Sequence, residues 1–376
     1  MDRTFLRTVK RPHYEKLKPK LKIADLFCGC GGLSLGLAEA ARGLGFGLSV
    51  RLAVDMDQVA VSVYRRNFPD ANVHCARVEE LFHGALGSQL SGAERKLARA
   101  VGDLDVLVGG PPCQGHSDLN NHTRRSDPRN ALYTRIARAA AVLRPNIVAI
   151  ENVPTVKHAV ERVVEIATKA LVELGYGVHD EVIDLGRLGA PQRRRRHVLL
   201  AIKGNAERPR EVLKSVMDSC AAKKARTVRW AIEDLADMSG TAFDTASTAS
   251  KINAKRISYL FDHDVYDLPN RLRPVCHQSD HSYRSMYGRL RWDEPAQTVT
   301  TGFGSMGQGR YVHPIRPRTL TPHEAARLQM IPDFFDLSGV QSRGALATLI
   351  GNTVPPVLGF AIGRTILLQD FGNDSS

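Results

Sequence analysis

Three short stretches of the 376-residue chain hold residue types that can make and break bonds. The first is Gly109-Gly110-Pro111-Pro112-Cys113-Gln114-Gly115-His116-Ser117, which follows the apolar run Leu104-Asp105-Val106-Leu107-Val108. Such a run reads as a buried parallel strand, and the glycines and prolines then stop it in a stiff loop with Cys113 at the tip. Ligands of open α/β sheets bind beyond the carboxyl ends of strands, which makes Cys113 a candidate nucleophile rather than a small packing residue. The second stretch is Glu151-Asn152-Val153-Pro154, delivered by the strand Asn146-Ile147-Val148-Ala149-Ile150 to the same sheet edge. A carboxylate directly after a buried strand reads as functional. The third is Gln192-Arg193-Arg194-Arg195-Arg196, which enters a strand at His197. Alternate residues of a strand point to opposite sides, so either Arg194 with Arg196 or Arg193 with Arg195 can face one site.

These residues need elements to hold them. A strand over 22–27 runs into the turn Cys28-Gly29-Cys30-Gly31-Gly32, and helical character follows over 33–40. Strand, glycine turn and helix form a nucleotide-cofactor arrangement, with backbone able to approach the ligand and a helix N-terminus facing it. The spacing is not that of the dinucleotide fingerprint. A second strand over 50–54 ends at Asp55-Met56-Asp57. Asp55 is placed to accept hydrogen bonds from ribose hydroxyls, and Asp57 to cap the helix that begins at Gln58. The sequence further predicts a charged helical excursion over 79–102, a polar loop over 116–130 that is either a functional lid or a disordered segment, and a helix over 131–143. An amphipathic helix over 157–174 and strands over 177–185 and 197–202 follow. From Gly204 to about Pro314 apolar periodicity weakens and basic residues crowd, which suggests a second, smaller domain. Regular texture returns with Arg318, a helix over 322–329 and a final apolar helix.

Composition narrows the partners. Hydrophobic residues at 43% and charged residues at 24% are ordinary for a globular protein. No stretch approaches the roughly 20 apolar residues of a membrane span, and the basic N-terminus lacks the apolar core of a signal peptide, so a cytoplasmic location without membrane is expected. Six cysteines without regular spacing make no disulfide framework. Cys28 and Cys30 lack a second ligand pair at zinc spacing, so no metal is expected. The net charge of +13 favours a polyanionic partner, nucleic acid first.

Taken together and in order, these blocks closely resemble the C5-cytosine-specific DNA methyltransferase family. The carrying motifs are Asp25-Leu26-Phe27-x-Gly29-x-Gly31-Gly32, Pro111-Pro112-Cys113-Gln114, Glu151-Asn152-Val153 and Gln192-x-Arg194-x-Arg196. Arg318-x-Leu320-Thr321-x-x-Glu324-x-x-Arg327-Leu328-Gln329 and Gly351-Asn352-x-Val354 follow near the C-terminus. The likeness covers residues 25 to about 366, apart from 204–314.

The resemblance implies an α/β fold: a doubly wound, mostly parallel, Rossmann-like sheet that binds S-adenosylmethionine, with a smaller target-recognition domain. The catalytic domain would be discontinuous, over 20–203 and 315–370, with target recognition over 204–314 and a basic segment over 1–19. By motif position Phe27, Gly29, Gly31 and Gly32 contact the cofactor, Asp55 holds its ribose and Met56 lies against the adenine. Pro112, Leu132, Asn352 and Val354 complete that pocket. Cys113 would add to C6 of a cytosine flipped out of duplex DNA, Glu151 would serve N3, and Arg196 with Arg194 would bind the base oxygen or a nearby phosphate.

This chain departs from the family pattern in three places. His116 replaces a usual aromatic residue, and His74-Cys75-Ala76-Arg77 stands where an Asp usually reads the adenine amine. Asp55 replaces a Glu. A monomer is expected, with a cognate restriction endonuclease as a further candidate partner. The alternatives are a transfer-RNA cytosine methyltransferase, which the basic 204–314 region argues against, and a catalytically inactive DNA-binding regulator.

Overall fold

The apolar runs of the sequence become strands where both faces are covered, and a computed structural model describes them within residues 1–112, 132–218, 225–278 and 285–371. In chain order they are β1 (Lys20–Leu26), β2 (Gly47–Asp55), β3 (Val73–Cys75), β4 (Val106–Gly109), β5 (Ile147–Asn152), β6 (Tyr176–Asp184), β7 (Gln192–Arg193), β8 (Arg195–Lys203) and β9 (Ala296–Gln297). Contacts divide the chain into two compact units. The larger is made of residues 12–188, 195–222 and 354–376, and the smaller of 1–11, 189–194 and 223–353.

In the larger unit seven strands form one sheet in the order β3-β2-β1-β4-β5-β8-β6. The first five are parallel to one another, whereas β8 runs antiparallel to both β5 and β6. The expected mostly parallel α/β sheet is therefore present, with its strand order reversing between β1 and β4, where such sheets open a crevice. β4 and β5 are buried along their whole length, as central parallel strands with helices on both faces must be. At the edge β6 carries His179, Asp180 and Glu181, charged and polar residues of the kind that discourage pairing with another chain.

One core cluster joins Leu26, Leu107 and Ile150 of the strands to Ile136 of the helix Leu132–Leu143 and Leu171 of the helix Val163–Glu173. On the other side the helices Gly32–Gly43 and Pro356–Phe371 touch backbone to backbone. A Cβ on Gly36 would lie 2.1 Å from the Pro356 carbonyl oxygen, and one on Gly359 would lie 2.4 Å from that of Leu33.

The C-terminal segment Arg343–Gln369 is long and apolar enough to cross a membrane by length and composition alone, contrary to the reading that no stretch comes close. Its most apolar window is 61% buried inside the protein. Residues 353–355, which lie in neither helix, break it in two, so its apolar character belongs to protein core.

Two further sequence expectations need correction. Residues 157–174 are not one helix. The chain leaves β5 through Pro154 into a 3-10 turn (Pro154–His158), Ala159 is extended, and Arg162 takes a left-handed φ of 50° before the helix Val163–Glu173 begins. Residues 79–102 are likewise two short helices, Val78–Leu81 and Gly92–Val101. The second starts with a capping box between Ser91 and Glu94.

The smaller unit has its own core of Ile257, Leu260, Leu268, Tyr287, Met306 and Val312 around the helix Lys251–Asp262. Its β7 and β9 pair in parallel. Here Arg318 grips Glu324 through two hydrogen bonds of 2.7 and 2.8 Å, and Thr321 and Glu324 cap the helix Pro322–Leu328 reciprocally.

The excursion over 79–102 is pinned to the helix Leu132–Leu143 by a buried ion pair. Glu94 and Arg138 are at most 1% exposed and meet at 2.6 and 2.9 Å. Arg138 also donates to the carbonyls of Ser88 and Gln89, and the Ser91 and Gly84 N–H groups donate to Glu94. Burial alone would push the Glu94 carboxyl up, but the Arg138 and backbone donors bring it down to about 2. Removing one partner leaves a buried charge uncompensated, so Arg138→Met should destabilise the protein by about 3–5 kcal/mol. Urea unfolding measures this, and a loss below about 1 kcal/mol, the scale of an exposed pair, would contradict the assignment.

Candidate active site

Each parallel strand of the large unit ends at the same edge, so the loops after β1, β2, β4 and β5 meet there. After β1 the backbone enters left-handed conformations at Phe27 (φ 55°), Gly29 (φ 52°) and Gly31 (φ 99°). The two glycines do different work. A Cβ on Gly29 would meet nothing within 4 Å, so its backbone faces open space, while one on Gly31 would lie 2.8 Å from the Phe68 ring and 3.0 Å from that of Tyr64. Gly31 therefore lets the turn close on the helix Gln58–Asn67, and Gly29 leaves room for a ligand. Gly32 opens the helix Gly32–Gly43.

After β2, Asp55 binds the glycine turn. Its Oδ2 accepts from the Gly29 N–H at 2.8 Å and its Oδ1 from the Asp57 N–H at 2.9 Å. Burial raises the Asp55 carboxyl above its ordinary value, and these N–H donors offset part of that rise. Asp57 caps the next helix by accepting from Val59 and Ala60. Met56 between them is 63% exposed. Cys75 of β3 donates its thiol toward the Met56 carbonyl at 3.7 Å, and the Ala76 N–H donates to the Asp55 carbonyl at 3.0 Å. A turn with open space before its backbone, a carboxylate beside it and an exposed thioether fit the nucleoside half of S-adenosylmethionine.

Behind the turn Asp25 is 1% exposed. It accepts from the Ser34 hydroxyl at 2.7 Å, which itself lies 2.7 Å from the Tyr64 hydroxyl. Burial pushes the Asp25 carboxyl up to about 7. The same burial, with Asp25 and Asp55 nearby, drives the Cys28 thiol well up, which makes it a poor nucleophile.

After β4 the chain passes Gly110, Pro111 and Pro112; Cys113, Gln114 and His116, with the expected lid, lie outside the described residues. Glu151 ends β5, and Arg196 near the start of the antiparallel β8 reaches it, Nε to Oε1, at 2.7 Å. The other carboxylate oxygen, Oε2, lies 3.2 Å from where a Cβ of Gly110 would be, and a Val354 methyl lies 3.6 Å from the same point. Asn152 donates to the Pro111 carbonyl at 3.2 Å and so ties the β4 exit to β5. Leu132 opens the helix Leu132–Leu143 and is half-buried.

The smaller unit holds the remaining sequence candidates. Arg194 is buried there and donates to the Val299 carbonyl at 2.9 Å and toward that of Thr353 at 3.4 Å. Gln192 is fully buried and donates to the Leu328 carbonyl and the Gln329 side chain, both at 2.8 Å. Asn352, at the end of the helix Arg343–Asn352, is exposed.

Sequence reasoning missed a second polar cluster in the larger unit. His197 follows Arg196 on β8, so strand alternation turns it to the opposite face of the sheet. It is fully buried and meets Asp180 of β6 at 3.0 Å, and Lys157 meets the same oxygen at 2.8 Å. The hydrogen bond from His197, with that from Lys157, holds the Asp180 carboxyl well below the usual range. Nearby, the Tyr133 hydroxyl is pushed up by burial and by the charges of Asp180 and Glu151. Tyr133 Oη and His197 Nδ1 have no hydrogen-bond partner among the described residues. The sequence signal was weak, since Asp180 stands among other polar residues of β6 and His197 follows a run of arginines.

A family model described as "C-5 cytosine-specific DNA methylase" matches residues 21–368. Type II methyltransferase M1.BsuMI of Bacillus subtilis is 43% identical over 364 residues, covering 96% of this chain and 84% of that protein. Type II methylase M.HgiDII of Herpetosiphon aurantiacus is 31% identical over 362 residues, covering 92% and 94%. A putative DNA modification methyltransferase encoded within an Escherichia coli prophage superposes with a TM-score of 0.61 at 24% identity, covering 92% of this chain and 98% of that one. The S. pombe Dnmt2 methyltransferase does so with 0.63 at 16% identity, covering 94% and 99%. These two structures support the fold alone.

The raised Asp25 carboxyl gives a signed expectation. An acid whose folded pKa exceeds its unfolded value binds its proton more tightly when folded, so stability falls as pH rises from about 4 towards 7. Asp25→Asn keeps an acceptor for Ser34 and removes the titration. Its stability, relative to the parent protein, should rise across that window by up to about 4 kcal/mol. Denaturant melts at several pH values test this, and parallel profiles for the two proteins would refute it.

Proposed function

This chain belongs to the C-5 cytosine-specific DNA methylase family, the S-adenosylmethionine-dependent DNA (cytosine-5-)-methyltransferases, and from that membership we propose how its own residues carry the reaction. It methylates C5 of a flipped-out cytosine within a specific duplex site, through a covalent bond between Cys113 and C6. The observation that carries this reading is the Glu151–Arg196 pair at 2.7 Å, set beside Gly110 three residues before Cys113.

Cytosine C5 is a weak nucleophile in the intact ring. A Cys113 thiolate adding at C6 would shift electrons toward C5, and the negative charge that develops at N3 and the base oxygen needs stabilising. Glu151 is the group to share a proton with N3, which neutralises that charge, and Arg196 orients it through Oε1. Arg194 contributes from the smaller unit by bracing backbone carbonyls of Val299 and Thr353, a positioning role. Phe27, Gly29, Gly31, Gly32, Asp55, Met56, Pro112, Leu132 and Val354 form the proposed cofactor pocket, and Asn352 is proposed as a further cofactor residue by its motif position. S-adenosylmethionine bound there supplies the electrophilic methyl group. Loss of the C5 proton and expulsion of the Cys113 thiolate then restore the ring. A base inside a duplex hides C6, so the nucleotide must leave the stack, and the polar segment after Cys113 is suited to close over it.

Residues 204–314 are proposed to read the target site and 20–203 with 315–370 to do the chemistry. Both relatives are named as type II enzymes, so a cognate restriction endonuclease is the proposed companion of a monomeric, cytoplasmic methyltransferase.

Two outcomes are expected. Asp55→Ala should weaken S-adenosylmethionine binding by about tenfold or more, the scale of a lost hydrogen bond to a charged group. Calorimetric titration at unchanged affinity would remove Asp55 from the pocket. With a duplex carrying 5-fluorocytosine at the methylated position, identified first by base-resolution mapping, the protein should form a detergent-stable adduct because fluorine cannot leave as a proton does. Cys113→Ser should abolish that adduct, and Glu151→Gln should slow it by about 10²–10⁴-fold with DNA binding retained. Methylation of the mapped site without any adduct would mean Cys113 is not the nucleophile.

A further inference from the structure

The opposite edge of the large sheet, where the parallel strands begin, also holds a cavity. A cleft of about 480 Å³ there is lined by Lys20 and Lys22 of β1, Ser49 and Arg51 of β2, Phe46 and Leu367. β1 is seven residues long, so about 20 Å of strand separates Lys20 from the glycine turn. None of the residues proposed for methyl transfer lines it.

Its charge is built by the strands. Lys20 and Lys22 alternate along β1 and so share a face, and Lys22 stands opposite Ser49 in the ladder. Arg51 is an inserted residue. The pairing runs Ile23 with Val50 and then Ala24 with Leu52, which leaves Arg51 in a bulge. Bulges are uncommon in parallel pairs and often re-aim a side chain beside a site. Here the bulge keeps Leu52, Ala53 and Val54 in core register while an arginine in mid-strand stays exposed and lines the cleft.

The cations are under-compensated. Among the described residues neither Lys20 nor Arg51 has a carboxylate partner, and Lys22 lies 3.6 Å from Asp103, whose side chain is 94% exposed. The one acid on the wall, Asp105, uses Oδ2 to accept from the Lys22 backbone N–H at 2.8 Å.

We propose that this cleft is a second ligand site, for a small organic phosphate of mononucleotide size. An arginine fork binds phosphate oxygens in pairs, lysine adds a point charge and Ser49 a hydroxyl donor. The volume lies in the range of about 300–1,000 Å³ typical of small-molecule sites. The apolar wall of Phe46 and Leu367 has no use for a bare phosphate but suits an attached organic group. A DNA duplex, convex and about twice as wide as the roughly 10–12 Å diameter of a helix, would touch only the rim of so small a cleft.

The test uses the full chain saturated with S-adenosylhomocysteine, so that the proposed cofactor pocket is filled. AMP is then titrated by calorimetry at low salt, with inorganic phosphate as a second arm. AMP should bind one per chain, more tightly than inorganic phosphate. The double variant Lys20→Ala/Arg51→Ala should weaken AMP by about tenfold or more, the scale of a charge-assisted hydrogen bond, with S-adenosylhomocysteine affinity unchanged. Should Arg51→Ala disturb the bulge and lose that control affinity, Lys20→Glu at the first strand residue provides the same reading. The proposal falls if AMP does not bind the saturated protein, if phosphate binds equally well, or if the variants leave AMP affinity intact. It falls equally if they weaken only duplex DNA, which would make the cleft a backbone contact. None of these outcomes depends on Cys113 or Glu151, so the methyl-transfer reading stands or fails separately.

Discussion

In a sheet of parallel strands every carboxyl end lies at one edge, and every strand start lies at the other. A site at the first edge can therefore draw on what strands lead into, never on what leads into them. β8 escapes that limit because it runs against β5. Its reversal brings the entry of a strand, with Arg196, to the exit of another, with Glu151, and the two close at 2.7 Å. Had β8 been parallel, its first residues would lie at the far edge of the sheet. The ion pair, the Asn152 hold on Pro111 and the approach to Gly110 all follow from this one antiparallel neighbour.

The cost of burying charge is desolvation, and the chain meets it in different ways. Glu94 and Arg138 are buried as a pair whose remaining donors and acceptors are taken by backbone. Among the described residues Asp25 has no cationic partner; burial holds its proton up to about 7, and the Ser34 hydroxyl donating to it offsets only part of that rise. Asp55 lies between, partly buried, with N–H groups of Gly29 and Asp57 on its two oxygens. A carboxylate kept at the edge of water in this way can still accept from a ligand, whereas Asp25 is committed to the interior.

Much of the larger unit was legible because buried parallel strands are nearly continuous apolar runs, as in Val106-Leu107-Val108 and Ile147-Val148-Ala149-Ile150. The glycine turn and the Asp57 cap were legible for a local reason, since backbone conformation and capping are set by neighbours in sequence. What stayed hidden depends on pairing across the sheet. Nothing within 157–162 shows that Arg162 must turn left-handed. Nothing near His197 names Asp180 as its partner, because that contact exists only once β6 and β8 are in register. The same holds for the bulge at Arg51, which is a property of two strands and not of either alone. Arg194 and Arg196 look equivalent in sequence, yet one grips backbone carbonyls and the other a carboxylate.

The contact between Gly36 and Gly359 sets a condition on how this protein comes into being. The helix Gly32–Gly43 emerges early from the ribosome, while the helix that covers it, Pro356–Phe371, is made roughly 300 residues later. At about 5–20 residues per second that interval is tens of seconds. Through it the first helix carries an uncovered apolar flank, and its glycines present bare backbone where a partner helix will sit. The core residues of the smaller unit, between 257 and 312, are also made within that interval. Newly made chains thus pass through a stage in which the strands of the large sheet exist and its closing helix does not. Heat shock, slow translation or premature release would strike hardest there, and holding chaperones would find their grip on the same exposed flank.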